Sequence, residues 1–577
     1  MTLQAKENRV ILDICFNKRI DLYHIVTIAV FPIILLTLNN KWIFTNAFFI
    51  YVDPWIYLGY FLDFSGHLNA FKSYFYTNYF GTRFPWIVPG ILAYKVFPPL
   101  TANYVLHLGF LYTALFSAYF IIKNVLDKNS ALFTTILLGC YSYFLFSLGW
   151  DYVDGAEITY LLLIILCLVN LKKTNEKLLL GFFTGFFYAL LLYTNLYMII
   201  YTPTFLIFFF YGNKALKTNF DFVKLATWIS ISFLLVTISF CILNYAVSGQ
   251  ILFFLPQIKV ALDLSLGYHR WKQPFAVWLF NAGHLVIPVI AFFINLILLF
   301  YSFFRKTNEK NITLLRLLYV LSFIMAVIFE LLKKPVLQQM FYASNLIPFL
   351  FLSIATWFYP FLEKLNSKQM LLVVVCSIAT LLIPFGLYSD EGFIYVMIRY
   401  RRFILLFIFI AGSFFIYITS KTNRYVAYVL FFCLSFSVIN YLSSFREVFQ
   451  NTNNPERESA HIAVVKTIEY LKEINPDCEA LFWYNSETDP MGRMFRAVNS
   501  AYMWRYRRIG TEFPKIEKNI HPDNSTKIVF LTSNNEDYEN AVNSLKNVNY
   551  KAKLVSLKTI KQDNINFSIY FLAYGQN

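Results

Sequence analysis

The chain has 577 residues, of which 58% are hydrophobic and 14% charged, with a mean hydropathy of +0.53 and a formal net charge of +16. Soluble domains are usually about 45–50% apolar and about 25% charged. This composition therefore excludes a soluble protein and predicts one embedded in a membrane. The positive charge indicates basic cytoplasmic loops and contact with anionic lipid rather than a nucleic-acid partner.

Apolar segments recur from the N-terminus to about residue 442, and a spanning helix needs about 20 mostly apolar residues. The first segment follows a polar N-terminus without a small-residue cleavage site, so we expect a retained signal anchor. The seven cysteines show no CxxC or paired spacing, which gives no sign of a disulfide framework or zinc site. We predict about thirteen spans, near 21–38, 100–122, 131–149, 156–171, 178–194, 197–211, 225–246, 276–303, 312–331, 341–359, 369–387, 403–419 and 425–442.

The short loops predict the orientation of these spans. If the N-terminus is cytoplasmic, every inner loop is basic, as in KKTNEK at 172–177, whereas the outer connections 150–155 and 194–196 carry no Lys or Arg. Basic loops face the cytoplasm. We therefore expect a multi-pass protein of a cytoplasmic (inner or plasma) membrane.

The first outer loop, 39–99, is long and rich in aromatic residues, and Pro and Gly interrupt it. Such a pattern is typical of short helices that lie in the membrane interface, where they can roof a cavity that opens to lipid. The loop is therefore expected to belong to the membrane domain.

After about residue 443 the composition becomes polar, and helical and strand patterns alternate. Helices are predicted at 461–474 and 536–548, and strands at 479–485, 527–533, 552–560 and 567–575. The sequence thus predicts an α-helical polytopic membrane domain, 1–442, followed by a small extracytoplasmic α/β domain, 443–577.

Four acids stand in the first two outer loops. Asp53 begins DPW, and Asp151, Asp154 and Glu157 lie in WDYVDGAE. A structural interpretation makes Asp53 a helix N-cap before Pro54 and makes Asp154 with Glu157 a capping box. That interpretation leaves Asp151 unexplained. Because ionisable groups at membrane depth are functional candidates, we favour a shared functional pocket.

Basic residues on the predicted outer side run against the positive-inside trend. Such side chains can extend to lipid headgroup phosphates. A converging subset would instead bind the phosphate of a lipid-linked substrate, with Arg suited to bidentate contact. These residues are Arg83, Arg270, Lys272, Lys333, Lys334, Arg399, Arg401 and Arg402.

The arrangement resembles the GT-C type of multi-span glycosyltransferases, which take a sugar from a polyprenyl-phosphate carrier. This group includes the dolichyl-phosphate-mannose protein mannosyltransferases of glycosyltransferase family 39 and the bacterial aminoarabinose transferase that acts on lipid A. The resemblance lies in YVDPW (51–55), WDYVDG (150–155), TRFPWIVPGILAYKVF (82–97) and QMFYASNLIPFLFLSIA (339–355).

The resemblance implies a GT-C fold and an inverting transfer to a cell-envelope glycan, glycolipid or protein. It makes Asp53 the general base and Arg83 a ligand of the leaving phosphate. Asp151 and Asp154 would orient the acceptor, the base or a divalent cation such as Mg or Mn, although no cofactor is required. Further predicted phosphate contacts are Arg270, Lys272 and Lys334, and predicted acceptor or accessory residues are Glu157, His269 and Tyr342.

Other functions stay open at this point. A flippase or transporter of lipid-linked sugars would show charged spans, broken helices and two similar halves. A polysaccharide polymerase or ligase would use Arg and His of a late outer loop, such as YHRWK within 246–275. A purely structural scaffold would leave the outward acids without a role. The sequence favours the transferase.

Overall fold

The structure is a computed structural model, and it describes most of the membrane part and most of the C-terminal part. Five predicted site residues, Asp151, His269, Arg270, Lys272 and Lys334, lie outside the described residues, as does the predicted span 403–419. The described residues are 22–38, 53–70, 79–150, 152–171, 177–212, 219–266, 282–305, 310–332, 336–387, 425–444, 457–475, 480–485, 491–503, 516 and 522–575.

Apolar helices make up the membrane part, and each predicted span other than 403–419 overlaps at least one of them, with 276–281 of another span also outside the described residues. Within the described ranges, seven helices are long and apolar enough to cross a membrane, or eight if one bent pair forms a single span. Together with shorter apolar helices, the membrane part includes Leu22–Leu38, Pro99–Val125, Lys128–Gly139, Ser142–Gly149, Asp154–Asn170, Lys177–Thr194, Thr202–Gly212, Asn219–Ser248, Val286–Arg305, Lys310–Leu331, Ile347–Leu362, Ser367–Leu387 and Tyr425–Ser444.

The predicted span 131–149 is this bent pair, with an angle of 66° between its two helices. Asn440, from the last described membrane helix, bonds both sides of the break. Its Oδ1 accepts from the backbone N–H of Ser142 at 3.2 Å, and its Nδ2 donates to the carbonyl of Cys140 at 3.0 Å. Because a buried backbone group needs a partner, this side chain stabilises the bend.

Shorter helices fill the region of the predicted first outer loop. They are Asp53–Leu62, Phe64–Ala70 and Phe84–Val96. The first begins with Asp53 and Pro54, as expected for proline in a first helical turn. We call it the Asp53 helix. Its rings pack against those of the Phe84–Val96 helix, for example Phe61 on Trp86 with centroids 5.7 Å apart.

The C-terminal part holds a four-stranded sheet of order β1-β2-β4-β3, in which β1 and β2 are parallel and β4 is antiparallel to both neighbours. The strands are β1 (Leu481–Tyr484), β2 (Ile528–Thr532), β3 (Ala552–Gln562) and β4 (Ile565–Tyr574). The helices are Arg457–Ile474, Met491–Val498 and Asn535–Asn547, with a π-helical turn at Asn499–Met503. The predicted small α/β fold is confirmed.

The Asp53 helix contributes to two hydrophobic cores. Tyr57 and Tyr60 belong to the core of the membrane part. Trp55 and Leu58, on another side of the same helix, are fully buried in the core of the C-terminal domain. The helix that carries the first predicted site residue therefore lies between the two parts of the protein.

Candidate active site

Arg83 lies at the centre of the site and is 1% exposed. Its Nη1 donates to the hydroxyl of Tyr57 at 2.8 Å. The guanidinium carbon lies 4.2 Å from the ring centre of Tyr79 and 5.4 Å from that of Tyr152. Aromatic faces attract cations, and the attraction grows when water is excluded. Three tyrosines from different segments therefore hold this charge in one place.

Asp53 approaches Arg83 from the Asp53 helix. It lies four residues before Tyr57, and residues at this spacing share one face of a helix. Burial raises the pKa of the Asp53 carboxyl to about 6, while the positive charge of Arg83 lowers it. Asp53 is therefore within electrostatic reach of Arg83, and its pKa suits a base that works near neutral pH.

Asp154 and Glu157 reach the same site from the start of the Asp154–Asn170 helix. The capping-box interpretation is wrong, because Val153 precedes this helix and no side chain caps it. Both acids are instead buried, with exposed fractions of 2% and 0%. Arg83 interacts electrostatically with both of them.

Glu157 is held by a residue from a much later part of the chain. Its Oε2 accepts a hydrogen bond of 2.9 Å from Nδ2 of Asn345. Asn345 lies in the 3₁₀ turn Ser344–Leu346, inside the segment QMFYASNLIPFLFLSIA (339–355), one of those that carry the resemblance to GT-C enzymes. The side chain of Asn195 also lies beside this carboxylate.

Several polar atoms of the site are buried without a hydrogen-bond partner among the described residues. A buried polar atom without a partner is costly, typically about 1–3 kcal/mol. When several lie together, they indicate a place that water or a ligand fills. The atoms are Nε of Arg83, Oδ2 of Asp154, Oε1 of Glu157, Oδ1 of Asn345 and the hydroxyls of Tyr197 and Tyr201.

Aromatic rings form another boundary of the site. Trp150 and Phe341 stack face to face, with centroids 4.5 Å apart and planes inclined by 9°. Tyr342, predicted as an accessory residue, packs against Tyr197 with centroids 5.2 Å apart. The second outer loop and the 340–346 segment are therefore joined by rings as well as by the Glu157–Asn345 bond.

An apolar cavity of about 390 Å³ is lined in part by the residues that directly follow Arg83 in the sequence. Phe84 and Pro85 form part of its wall, and Phe186, Leu235 and Phe240 form part of the rest. Leu235 is 50% exposed on a helix that crosses the membrane, so the cavity lies next to the lipid-facing surface. Its lining residues are mostly apolar.

The structure brings together the predicted residues Asp53, Arg83, Asp154, Glu157 and Tyr342. Sequence analysis missed the polar and aromatic residues that surround them: Tyr57, Tyr79, Tyr152, Asn195, Tyr197, Tyr201 and Asn345. One signal was available, since Tyr57 lies one helical turn after Asp53.

The described residues contain no group of three His, Cys, Asp or Glu side chains placed to hold a metal ion. Asp151, one of the two residues named for a divalent cation, lies outside those residues, so the cation prediction stays a prediction.

Comparison with known proteins identifies the fold. No family model and no curated protein matches the sequence. The crystal structure of ArnT from Cupriavidus metallidurans bound to undecaprenyl phosphate matches with a TM-score of 0.51 and 9% identity, covering 95% of this chain and 98% of that one. The apo state of ArnT matches with a TM-score of 0.43 and 10% identity, over 89% and 93%.

ArnT is the lipid A aminoarabinose transferase, a GT-C enzyme. The likeness to its ligand-bound structure extends over the membrane part and the C-terminal domain together. The chain therefore has a GT-C-like glycosyltransferase fold, as its sequence predicts.

Proposed function

We propose that this chain is an inverting glycosyltransferase that moves a sugar from a polyprenyl-phosphate carrier to a cell-envelope acceptor. The GT-C-like fold supports the class of reaction. One observation carries the proposal. Arg83 is a buried cation that lies within electrostatic reach of Asp53, Asp154 and Glu157, and the next two residues in the sequence, Phe84 and Pro85, line an apolar cavity.

In the proposed reaction, the Asp53 carboxylate takes the proton from the acceptor hydroxyl. The hydroxyl oxygen then forms a bond to the anomeric carbon of the sugar. The bond between that carbon and the phosphate oxygen breaks on the opposite face, so the configuration inverts. The electron pair leaves with the phosphate, and the products are the glycosylated acceptor and the free carrier lipid phosphate.

Arg83 would hold the leaving phosphate. Its Nη1 is already bonded to Tyr57, while Nε has no partner within the described part of the chain and can donate to a phosphate oxygen. A fixed, buried donor stabilises charge that develops on the leaving group. We further propose that Arg270, Lys272 and Lys334 extend this phosphate site and that the cavity beside Phe84 takes the hydrocarbon chain.

Asp154, Glu157 and Asn345 would hold a hydroxyl-bearing partner. Each has one oxygen that accepts no hydrogen bond from the described residues. Acceptor atoms of this kind match the O–H groups of a sugar, and a partner that lacked them would leave these oxygens unpaired. We propose that these residues orient the sugar or the acceptor, with His269 and Tyr342 in accessory roles.

The reaction is expected on the outer face of a cytoplasmic (inner or plasma) membrane. This location follows from the predicted orientation, with a cytoplasmic N-terminus and an extracytoplasmic C-terminal domain. The activated sugar would then arrive from the membrane on its lipid.

The proposal is tested by mass spectrometry of envelope glycans from cells with and without the protein, and by transfer assays with the purified protein and polyprenyl-phosphate sugars. We expect one sugar to be missing from an envelope glycan, and free carrier phosphate to form in the assay. A product that grows by repeated units would identify a polymerase. Movement of the lipid-linked sugar between leaflets with its bond intact would identify a flippase and refute the transferase.

A further inference from the structure

We infer that the C-terminal domain positions the Asp53 helix in the active site, through direct contacts at Trp55, Gly59 and Leu62. This inference rests on the proposed function, because it explains how Asp53 and Tyr57 are held at Arg83. It makes the domain part of the catalytic assembly rather than a separate module attached to the membrane part.

The first contact is hydrophobic. Trp55 and Leu58 are completely buried among residues of the C-terminal domain. The ring of Trp55 lies 6.3 Å from that of His461, which is on the Arg457–Ile474 helix. Full burial of large apolar side chains stabilises the contact that buries them. The C-terminal domain therefore packs directly against the first two turns of the Asp53 helix.

The second contact is a close approach of two backbones. A β-carbon added to Gly59 would lie 2.3 Å from the carbonyl oxygen of Ala501, in the π-helical turn Asn499–Met503. It would also lie 2.2 Å from Nε2 of His67. Both distances are far inside van der Waals contact. Only glycine lets the Asp53 helix lie this close to the turn of the C-terminal domain.

The third contact is at the end of the helix. Nζ of Lys472 donates to the carbonyl oxygen of Leu62 at 3.1 Å. The last carbonyls of a helix lack partners within the helix, and a cation at this end is favourable. Lys472 lies on the same domain helix as His461, so one element contacts both ends of the Asp53 helix.

The domain is also fixed to the membrane part. The hydroxyl of Tyr94 lies 3.2 Å from Nε2 of His461, and the hydroxyl of Tyr104 donates to Oε1 of Glu458 at 2.7 Å. Tyr104 belongs to the membrane helix Pro99–Val125. The Arg457–Ile474 helix is thus held to the membrane part by side chains near its start.

These contacts have a consequence for catalysis. A helix of ten residues behaves as one short rigid rod, so a shift at Gly59 moves Asp53 and Tyr57 with it. Misplacement of a reacting group by about 1 Å can lower a rate by about 100-fold. The positioning role therefore predicts that a change at Gly59 slows turnover more than it weakens donor binding.

The test compares Gly59→Ala with Gly109→Ala in the full-length protein. Gly109 lies on the Pro99–Val125 helix, where an added β-carbon meets no atom within 4 Å. We expect Gly59→Ala to lower kcat about 30-fold or more, with the donor KM within about threefold and a folded protein by thermal unfolding. Gly109→Ala should behave like the wild type. A Gly59→Ala variant with wild-type kcat would overturn the inference.

A second arm does not depend on enzymatic activity. Leu471 and Leu545 are both fully buried in the C-terminal domain, but only Leu471 lies in the core that includes Trp55 and Leu58. In hydrogen exchange, we expect Leu471→Ala to lower the protection of amides 56–62 at least tenfold and Leu545→Ala to change it less than twofold. Equal effects of the two variants would overturn the inference.

The two proposals fail separately. If the wild-type protein transfers no sugar, the proposed function is wrong, whereas the exchange experiment still tests the positioning contacts. If the wild type transfers sugar and Gly59→Ala does so equally well, only the positioning role is wrong.

Discussion

Two buried polar clusters in the membrane part differ in how completely they are hydrogen-bonded. Around Asn295, Nδ2 donates to the hydroxyl of Ser353 at 3.0 Å and Oδ1 accepts from Nε1 of Trp357 at 3.1 Å. Nearby, Nε of Arg316 donates to the hydroxyl of Thr356 at 3.0 Å. Around Arg83, by contrast, oxygens of Asp154 and Glu157 lack partners among the described residues.

We interpret this difference as one between a structural polar network and the proposed functional one. Side chains whose polar atoms are bonded to other groups of the protein stabilise helix contacts inside the membrane. Side chains whose polar atoms lack hydrogen-bond partners within the protein can still form hydrogen bonds to a ligand that binds later. We therefore expect the Arg83 cluster to bind a substrate. Variants in the Asn295 cluster are the controls for variants in the Arg83 cluster.

The largest effect is expected for Asp53→Asn, because the amide cannot take the proton of the acceptor. Loss of a general base costs about 100-fold to 10,000-fold in rate. Transfer assays should show this loss in kcat, while binding of the lipid donor and thermal unfolding stay close to wild type. Near-normal turnover would refute the base assignment.

The second-largest effect is expected for Arg83→Gln. Removing a buried charge that pairs with a phosphate costs about 2 kcal/mol or more, which corresponds to about a 30-fold rise in the apparent KM for the lipid donor. Arg316→Gln is the matched control, because Arg316 is also buried in the membrane part but bonds to hydroxyls. An unchanged donor dependence in Arg83→Gln would remove Arg83 from the phosphate site.

The pH profile gives a smaller effect. In the proposed reaction Asp53 acts as a base only when it is ionised, and burial raises the pKa of its carboxyl to about 6. We expect kcat/KM to fall about tenfold per unit below pH 6 and to be level above it. Asp53→Asn should abolish this acid limb from the residual activity. A limb that persists in that variant would belong to another group.

The smallest effect on activity is expected in the fully bonded cluster. Asn295→Leu leaves the indole N–H of Trp357 without its partner and removes one of the hydrogen bonds of the Ser353 hydroxyl, at a cost of about 1–3 kcal/mol in stability. Thermal unfolding should therefore shift to lower temperature, while the turnover of the folded protein stays within twofold. A loss of turnover without a loss of stability would refute the assignment of the Asn295 cluster to a structural role.

Much of the fold was predictable because burial in lipid requires long apolar runs. The helices that surround the site, such as Pro99–Val125 and Asp154–Asn170, match the predicted spans within a few residues. The strands of the C-terminal domain were predictable from short apolar runs between polar turns. The bend after Gly139 was not, because its stabilising partner, Asn440, is 300 residues away.

The charged residues of the site were easier to predict than the neutral ones. Asp53, Arg83 and Glu157 are conspicuous because charge at membrane depth is rare. Tyr152 is not, since the chain contains 41 tyrosines and nothing in the sequence separates it from the rest, and Tyr57 is marked only by its position one helical turn after Asp53. The sequence also did not predict that the Asp53 helix is buried in two separate cores, because its side chains are apolar or aromatic on all sides.

The two hydrogen bonds of Asn440 at the bend after Gly139 have a consequence for the order in which the membrane helices assemble. The bent segment leads into Trp150 and Tyr152, which border the site. When ribosomes have produced only the first third of the protein, the broken turn has no amide to close it. We expect its geometry to be completed only when the helix Tyr425–Ser444 inserts, which would place the formation of the proposed pocket late in synthesis.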